Sequence, residues 1–203
     1  MPKFEFLEAE HIYKLDGKII PSCTSVLPYS FGQNAEYARQ KGTYVHDMLN
    51  LFGRGDLDED NLHPILKDYL ESYKLITNLK SGNVIADWKT GTKHPCIELQ
   101  LAGYCLLVRE GLTEAGESLM ELAKSEIVCR HEVRLYHPIY QFSGTLDYVY
   151  LSGEGTIALK AIYLKQNGKF PPQDDFTKNY RRNKNIFLSF LISFQWRQER
   201  GLL

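Results

Sequence analysis

Val84-Ile85-Ala86-Asp87-Trp88-Lys89-Thr90-Gly91 is the stretch of this sequence that says most about the fold. Its apolar start predicts a buried β-strand that Thr90-Gly91 closes. Because side chains alternate between the faces of a strand, Asp87 and Lys89 are predicted to point the same way. The carboxylate suits a hard cation such as Mg²⁺, and the ammonium group suits orienting or deprotonating a water or stabilising negative charge. The alternative is a simple ion pair at the end of a strand.

A second acid lies in Ser143-Gly144-Thr145-Leu146-Asp147, which leads into an aromatic strand. Aspartate is disfavoured in strands, and a buried aspartate needs a partner. A cation shared with Asp87 would provide one. The alternative is an aspartate beside a turn that accepts backbone hydrogen bonds.

Two predicted helices carry further polar residues on apolar faces. His46 lies between Val45 and Met48 on a helix over about 34–52, where it is either a metal ligand or a core histidine. Gln100 and Tyr104 are four residues apart on a largely apolar helix over about 97–110, so they share one face. They are either contacts to a phosphate or nucleotide, or a polar pair at the edge of the core.

Periodicity predicts the remaining elements. We expect a β-hairpin over 4–20, further helices over about 63–79, 117–126 and 186–200, and further strands over 127–136, 143–151 and 156–164. This mixture predicts an α/β (α+β) fold with a central mixed β-sheet flanked by helices. We expect a single domain over 1–203, with an N-terminal hairpin extension over about 1–30 and a C-terminal basic loop and helix over about 171–203.

Composition limits the partners and the compartment. The chain has 203 residues, of which 43% are hydrophobic, and a net charge of −1, so a nucleic-acid partner must be held by a local basic patch or through metal ions. No apolar run approaches the length of a membrane span, and the N-terminus does not resemble a signal peptide. The four cysteines form no C-x-x-C pair. We therefore expect reduced thiols and a cytoplasmic protein with no membrane partner.

The strongest basic run is Lys178-Asn179-Tyr180-Arg181-Arg182-Asn183-Lys184. Its alternation of cations with tyrosine and asparagine suits phosphate contacts and base stacking. The candidate substrate-binding residues are Lys178, Tyr180, Arg181, Arg182 and Lys184. The alternative is a solvated loop whose charge balances Asp174-Asp175.

Taken together, these segments resemble the PD-(D/E)xK nuclease superfamily, specifically its RecB-like and phage exonuclease branch. The matching pieces are Gly42-Thr43-Tyr44-Val45-His46, Gly144-Thr145-Leu146-Asp147, Ile85-Ala86-Asp87-Trp88-Lys89-Thr90-Gly91 and Gln100-Leu101-Ala102-Gly103-Tyr104. The resemblance implies a restriction-endonuclease-like core and, as ligands of Mg²⁺ or Mn²⁺, the side chains of His46, Asp147 and Asp87 with the backbone carbonyl of Trp88. It also implies that Lys89 is the catalytic lysine, that Gln100 and Tyr104 lie near the DNA, and that Glu132 is an acid of second rank. No cysteine follows Cys129, so no iron–sulfur cluster is expected.

The order of the motifs departs from that of the family. The strand with Asp147 should precede the strand with Asp87, whereas here the segments over about 82–117 and 118–153 look exchanged. If the same site forms, Asp87 and Asp147 must lie on neighbouring strands.

The expected function is a metal-dependent DNA nuclease, specifically an exonuclease acting on DNA ends in phage or bacterial recombination or repair. The expected partners are DNA, either as linear double-stranded ends or as single strands, together with a homo-oligomer or a recombination protein. Two alternatives stay open: a catalytically silent nucleic-acid-binding or assembly module on the same fold, and a restriction-type endonuclease.

Overall fold

A computed structural model describes residues 2–8, 10–28, 35–76 and 79–203 of the chain. The elements are β1 (Phe4–Leu7), β2 (Ile12–Leu15), β3 (Lys18–Ile20), α1 (Ala35–Arg54), α2 (Pro64–Lys74), β4 (Asn83–Lys89), α3 (Ile97–Glu110), α4 (Leu119–Leu122), β5 (Val128–His137), β6 (Phe142–Leu151), β7 (Ile157–Tyr163), β8 (Gln173–Asp175), a 3-10 turn (Thr177–Asn179) and α5 (Tyr180–Glu199).

A five-stranded mixed sheet forms the centre, in the order β5-β6-β4-β7-β8. β4 and β7 run parallel, and every other neighbouring pair in this sheet is antiparallel. Helices cover both faces. Leu101 of α3 and Phe187 of α5 belong to one buried cluster, whereas Leu49 of α1 and Leu70 of α2 belong to another. The predicted α/β (α+β) fold with a central mixed sheet flanked by helices is confirmed.

The predicted N-terminal hairpin is present and gains a third strand. β1, β2 and β3 form a separate antiparallel sheet. The β2–β3 turn consists of Asp16 and Gly17, both at positive φ (50° and 78°), which is the combination that a tight type I′ hairpin turn requires. The amide of Cys23 donates to the carbonyl of Ser143, which joins the segment after β3 to the start of β6.

The chain passes over the N-terminal end of β4 between β6 and β7. The side chain of Asn83 accepts a hydrogen bond from the amide of Ser152 (2.8 Å) and donates one to the carbonyl of Gly153 (3.0 Å). β6 therefore lies beside β4 although α3, α4 and β5 separate them along the chain. Asp87 and Asp147 accordingly lie on neighbouring strands, as the resemblance required.

Three predicted elements differ from the structure. The helix expected over 63–79 ends at Lys74, and the helix expected over 117–126 is a single turn over Leu119–Leu122. The prediction that the basic run forms a loop is also wrong. Thr177–Asn179 form a 3-10 turn and α5 already begins at Tyr180, six residues before the predicted start, because Asn183 packs in the core and donates to Glu98 of α3 at 3.0 Å.

Within the described ranges, every helix is too short or too polar to cross a lipid bilayer.

Candidate metal centre

α1 brings His46 to the central sheet. Val45, Met48 and Leu49 of this helix are buried against the sheet, and this packing fixes the direction of the neighbouring imidazole. The Nδ1 atom of His46 lies 3.1 Å from Oδ1 of Asp147 and 3.7 Å from Oε1 of Glu132. The His46 side chain keeps 28% of its surface exposed, so the site is open to solvent.

Three acids occupy one row across adjacent strands. The β5 pairs on either side of Glu132 face the β6 residues on either side of Asp147, so these two acids lie side by side. The β4–β6 ladder ends at the Ala86–Tyr148 pair, and the next position places Asp87 opposite Asp147. The row Glu132, Asp147, Asp87 therefore runs over β5, β6 and β4.

His46, Glu132 and Asp147 form a compact ligand group. Each offers one ligand atom, and all three atoms lie within 4.8 Å of one another. Burial alone would favour the neutral carboxyl of Asp147, but the imidazole of His46 and the ammonium of Lys89 outweigh it and lower the pKa of Asp147. Burial also raises the pKa of Glu132, an effect that the nearby imidazole of His46 only partly opposes. An imidazole nitrogen with two carboxylate oxygens is a donor set that could hold a divalent metal ion.

Asp87 is not a member of this group and pairs with Lys89 instead. Its Oδ2 atom lies 2.7 Å from Nζ of Lys89, but not in a direction that makes a hydrogen bond, so this buried oxygen has no hydrogen-bond partner. Burial raises the pKa of Asp87 to about 6, against the opposing charge of Lys89 and with the support of Asp147. A buried carboxylate oxygen in this condition has the capacity to accept a ligand beside the compact group.

Lys89 is held as a cation by its surroundings. Burial lowers its pKa, but the carboxylates of Asp87 and Asp147 outweigh burial and raise it. Nζ of Lys89 also donates to Oε1 of Gln100 at 3.4 Å, and the amide of Gln100 donates to the hydroxyl of Tyr104 at 2.8 Å. Of the roles considered for Lys89, charge stabilisation fits this environment better than removal of a proton from water.

The polar pair on α3 is buried, with exposed fractions of 4% for Gln100 and 5% for Tyr104. Hydrogen bonds of Gln100 join it to Tyr104 and to Lys89. Their burial favours the polar pair at the edge of the core over direct contact with a phosphate or nucleotide, the other role considered for them. Gly144 of β6 permits the packing, because a Cβ there would lie 2.9 Å from the ring of Tyr104.

The backbone amide of Trp88 contacts the site. Its N–H donates to Oδ2 of Asp147 at 2.6 Å, which orients the other oxygen of Asp147 toward His46. The indole ring is buried among Tyr73 and Tyr148 on the α1 side of the sheet. The carbonyl of Trp88 as a metal ligand stays a prediction.

The basic run lies on another face of α3 from Lys89. Tyr180 lies under the guanidinium of Arg109 (5.8 Å) and near Lys184 (6.0 Å), whereas Gln100 and Tyr104 face Lys89. Lys178, Arg181 and Arg182 are exposed and Lys184 is half-buried. The structure therefore brings together His46, Glu132, Asp147, Asp87 and Lys89, but it does not bring the basic run to them.

Glu132 is the functional candidate that sequence reasoning ranked too low. It has a φ of +48°, a left-handed conformation that is uncommon for residues other than glycine. No pattern in the sequence predicts this conformation, since the residue lies inside an otherwise regular strand. The resemblance to the nuclease family was the signal that singled out this glutamate, and it gave the residue second rank.

No protein-family model, no curated protein and no solved structure matches this chain.

Proposed function

We propose that the protein is a metal-dependent deoxyribonuclease of PD-(D/E)xK type that uses Mg²⁺ or Mn²⁺. The observation that carries the proposal is the convergence of His46, Glu132 and Asp147 within 4.8 Å, beside the Asp87–Lys89 ion pair. An acid row and a lysine that meet at one open site are suited to phosphodiester hydrolysis, which needs charge neutralisation at phosphorus and at the leaving oxygen.

The residues present fit a hard divalent cation. His46, Glu132 and Asp147 would hold it, and Oδ2 of Asp87, which has no hydrogen-bond partner, is the next available ligand atom. When bound, such a cation lowers the pKa of a coordinated water and neutralises phosphate charge. The lowered pKa of Asp147 keeps its carboxylate ionised at neutral pH, so it is ready to bind without losing a proton.

Lys89 supplies a positive charge directed at the reacting phosphate. Its pKa is raised, so the side chain enters the reaction as an ammonium ion and stabilises negative charge that develops on the phosphate oxygens. Gln100 and Tyr104 act on Lys89 as positioning residues, because the hydrogen-bonded chain from Tyr104 through Gln100 restricts where the ammonium group lies. This assignment replaces direct DNA contact as their main role.

The proposed substrate is DNA, cleaved from its ends. The motif set resembles that of the phage exonuclease branch, and the sheet order places the acid-bearing strands side by side despite their exchanged order in the chain. Exposed Lys178, Arg181 and Arg182 provide a second, remote surface for the DNA backbone. A role in phage or bacterial recombination, with oligomeric or protein partners, belongs to the same proposal.

The test is cleavage of linear and covalently closed circular DNA of one sequence, with Mg²⁺, Mn²⁺ or a chelator. We expect release of nucleotides from linear DNA only, and loss of activity in Asp147→Asn and in Asp87→Asn. Asp68→Asn, an exposed acid on α2, is the matched control and should retain full activity. Cleavage of closed circles would favour an endonuclease, and DNA binding without cleavage under any metal would favour the silent module. The absence of both cleavage and binding would overturn the proposal.

A further inference from the structure

A cationic cluster borders the acid row on the side of the N-terminal sheet. Arg134 follows Glu132 by two residues on β5, and Thr145, its partner on β6, precedes Asp147 by two. Arg39 precedes His46 by seven residues on α1, which is about two helical turns and therefore the same helix face. The three elements that supply the compact ligand group (α1, β5 and β6) thus each supply a second polar residue to this neighbouring position.

Arg134 is held in place by an aromatic ring and has no acidic partner. Its guanidinium carbon lies 4.4 Å from the ring centroid of Phe6 in β1. Its Nε atom is buried without a hydrogen-bond partner, and among residues 2–8, 10–28, 35–76 and 79–203 no carboxylate forms an ion pair with it. A half-buried guanidinium without a counter-anion is unfavourable, so this position favours binding of a negatively charged ligand.

The N-terminal sheet completes the walls of this site. The His11 ring packs edge-on against Phe6 (5.1 Å) and Tyr13 (5.8 Å). The hydroxyl of Tyr13 hydrogen-bonds with that of Thr145 at 2.7 Å. Burial, followed by the positive charges of Arg134 and Arg39, lowers the pKa of His11, as expected where the two guanidinium groups lie close by. The position is therefore positive, aromatic and supplied with hydroxyl groups.

We propose that Arg134 binds a phosphate group of the nucleic-acid strand, the one next to the phosphate that is cleaved, with the Tyr13–Thr145 hydroxyl pair beside it. Two residues of β-strand span about 7 Å, comparable to the separation of adjacent phosphates in an extended strand. A guanidinium group donates two parallel hydrogen bonds to phosphate, and stacking on Phe6 fixes the plane of the fork. This inference rests on the proposed nuclease function and assigns a substrate-positioning residue to it.

The experiment measures binding of a short oligonucleotide in Ca²⁺ buffer, over a range of salt concentrations, with the absence of cleavage checked. Arg134→Ala should weaken binding about tenfold or more and should reduce the slope of log K against log salt by about 0.7–0.9, the value for one lost phosphate contact. Arg130→Ala is the matched control, because Arg130 is exposed on the same strand and its substitution removes the same charge. It should change the slope little.

A conservative variant protects the test against a folding defect. Arg134→Lys keeps the charge but loses the planar fork, so it should retain the salt slope and still bind more weakly than the unaltered protein. The phosphate that Arg134 binds could be an internal phosphodiester or a terminal phosphate. Oligonucleotides with a 5′-phosphate, a 3′-phosphate or no terminal phosphate distinguish these two. An equal loss in all three assigns an internal phosphodiester, and a loss confined to one assigns that terminal phosphate.

Equal affinity and slope for Arg134→Ala and Arg130→Ala, in folded proteins that bind DNA, would overturn this inference and leave the nuclease proposal intact. Failure of the unaltered protein to bind DNA would overturn both.

Discussion

Glu132 holds its carboxylate beside His46 despite a backbone conformation that disfavours it. Its φ of +48° is costly for a residue with a Cβ atom, on the order of 1–2 kcal/mol. Strained residues persist where the surrounding structure over-determines them, and they cluster at functional sites. Here regular pairing on both sides of Glu132 fixes the strand, and the carboxylate still lies 3.7 Å from the imidazole of His46.

The first prediction concerns this acid. Glu132→Gln should weaken Mn²⁺ binding and slow DNA cleavage by about 100-fold or more, because it replaces one of the two carboxylates in a small site with a neutral amide. Calorimetric titration with Mn²⁺ and cleavage assays measure the two effects. Glu154→Gln, an exposed acid between β6 and β7, should change neither. Unaltered metal affinity in Glu132→Gln would exclude Glu132 from the centre.

The second prediction concerns Tyr104. Tyr104→Phe removes the hydroxyl that accepts a hydrogen bond from the side-chain amide of Gln100. The buried amide is left without an acceptor, which should lower the free energy of unfolding by about 1–3 kcal/mol. The substitution should also lower the cleavage rate without changing the affinity for Mn²⁺, since only the position of Lys89 is affected. Thermal unfolding and single-turnover cleavage test these effects, and Tyr44→Phe on the exposed face of α1 is the control. A simultaneous loss of metal affinity would contradict the positioning role.

At the scale of elements, Asn83 makes the unusual strand order possible. The loop after β6 must cross β4 before β7 can pair with it, and both hydrogen bonds of the Asn83 side chain go to the backbone of that loop. Asn83→Ala should therefore destabilise the fold by about 1–3 kcal/mol, since it leaves a backbone N–H and a carbonyl without partners. Urea unfolding measures this loss. Ser152→Ala, which removes only an exposed hydroxyl contact from the same loop, should cost less than about 0.5 kcal/mol.

Most elements were predictable from sequence because their periodicity is strong. α3 is apolar on nearly every side, and β4, β5, β6 and β7 lie within one or two residues of their predicted bounds. The start of α5 was missed because its first turn carries exposed cations, and Asn183, the buried residue of that turn, is polar. Tertiary contact rather than local pattern decides such a boundary.

The candidate site was predictable in its members but not in their arrangement. His46, Asp87, Lys89 and Asp147 were identified from residue type and spacing, and they do meet. Their division into a compact group and a separate Asp87–Lys89 pair depends on strand register and on side-chain direction, which the sequence does not encode locally. The same holds for Arg134, whose significance comes from the ring of Phe6 more than 120 residues away in sequence.

For the whole molecule, a net charge of −1 conceals opposite local fields. The acid row is flanked by the cationic cluster on one side, while the basic start of α5 lies across α3. Under the proposed function, we expect binding of nucleic acid to depend on local charge and bound cations rather than on a field of the whole surface. Strong dependence of binding on salt is the expected consequence.

Global stability should also depend on pH through His137, a histidine at the end of β5 with 1% of its surface exposed. Its Nδ1 atom accepts the amides of Ile139 and Tyr140, which requires the neutral ring, and burial lowers its pKa despite the nearby carboxylate of Glu110. As the pH falls below the ordinary histidine pKa of about 6.5, His137 takes up a proton in the unfolded chain but stays neutral in the folded protein. Stability contributed by His137 is thus present above that pH and is lost as the pH falls toward 5.

The loss should reach at most about 1.4 kcal/mol per pH unit from this group. His137→Asn keeps a short acceptor for the two amides and removes the titration, so the difference in unfolding free energy between pH 7 and pH 5 should shrink relative to the unaltered protein. Urea unfolding at both values measures it. An unchanged difference would show that the ring of His137 is not the group that titrates. Half-buried His131, whose pKa burial also lowers, would then be the next residue to test.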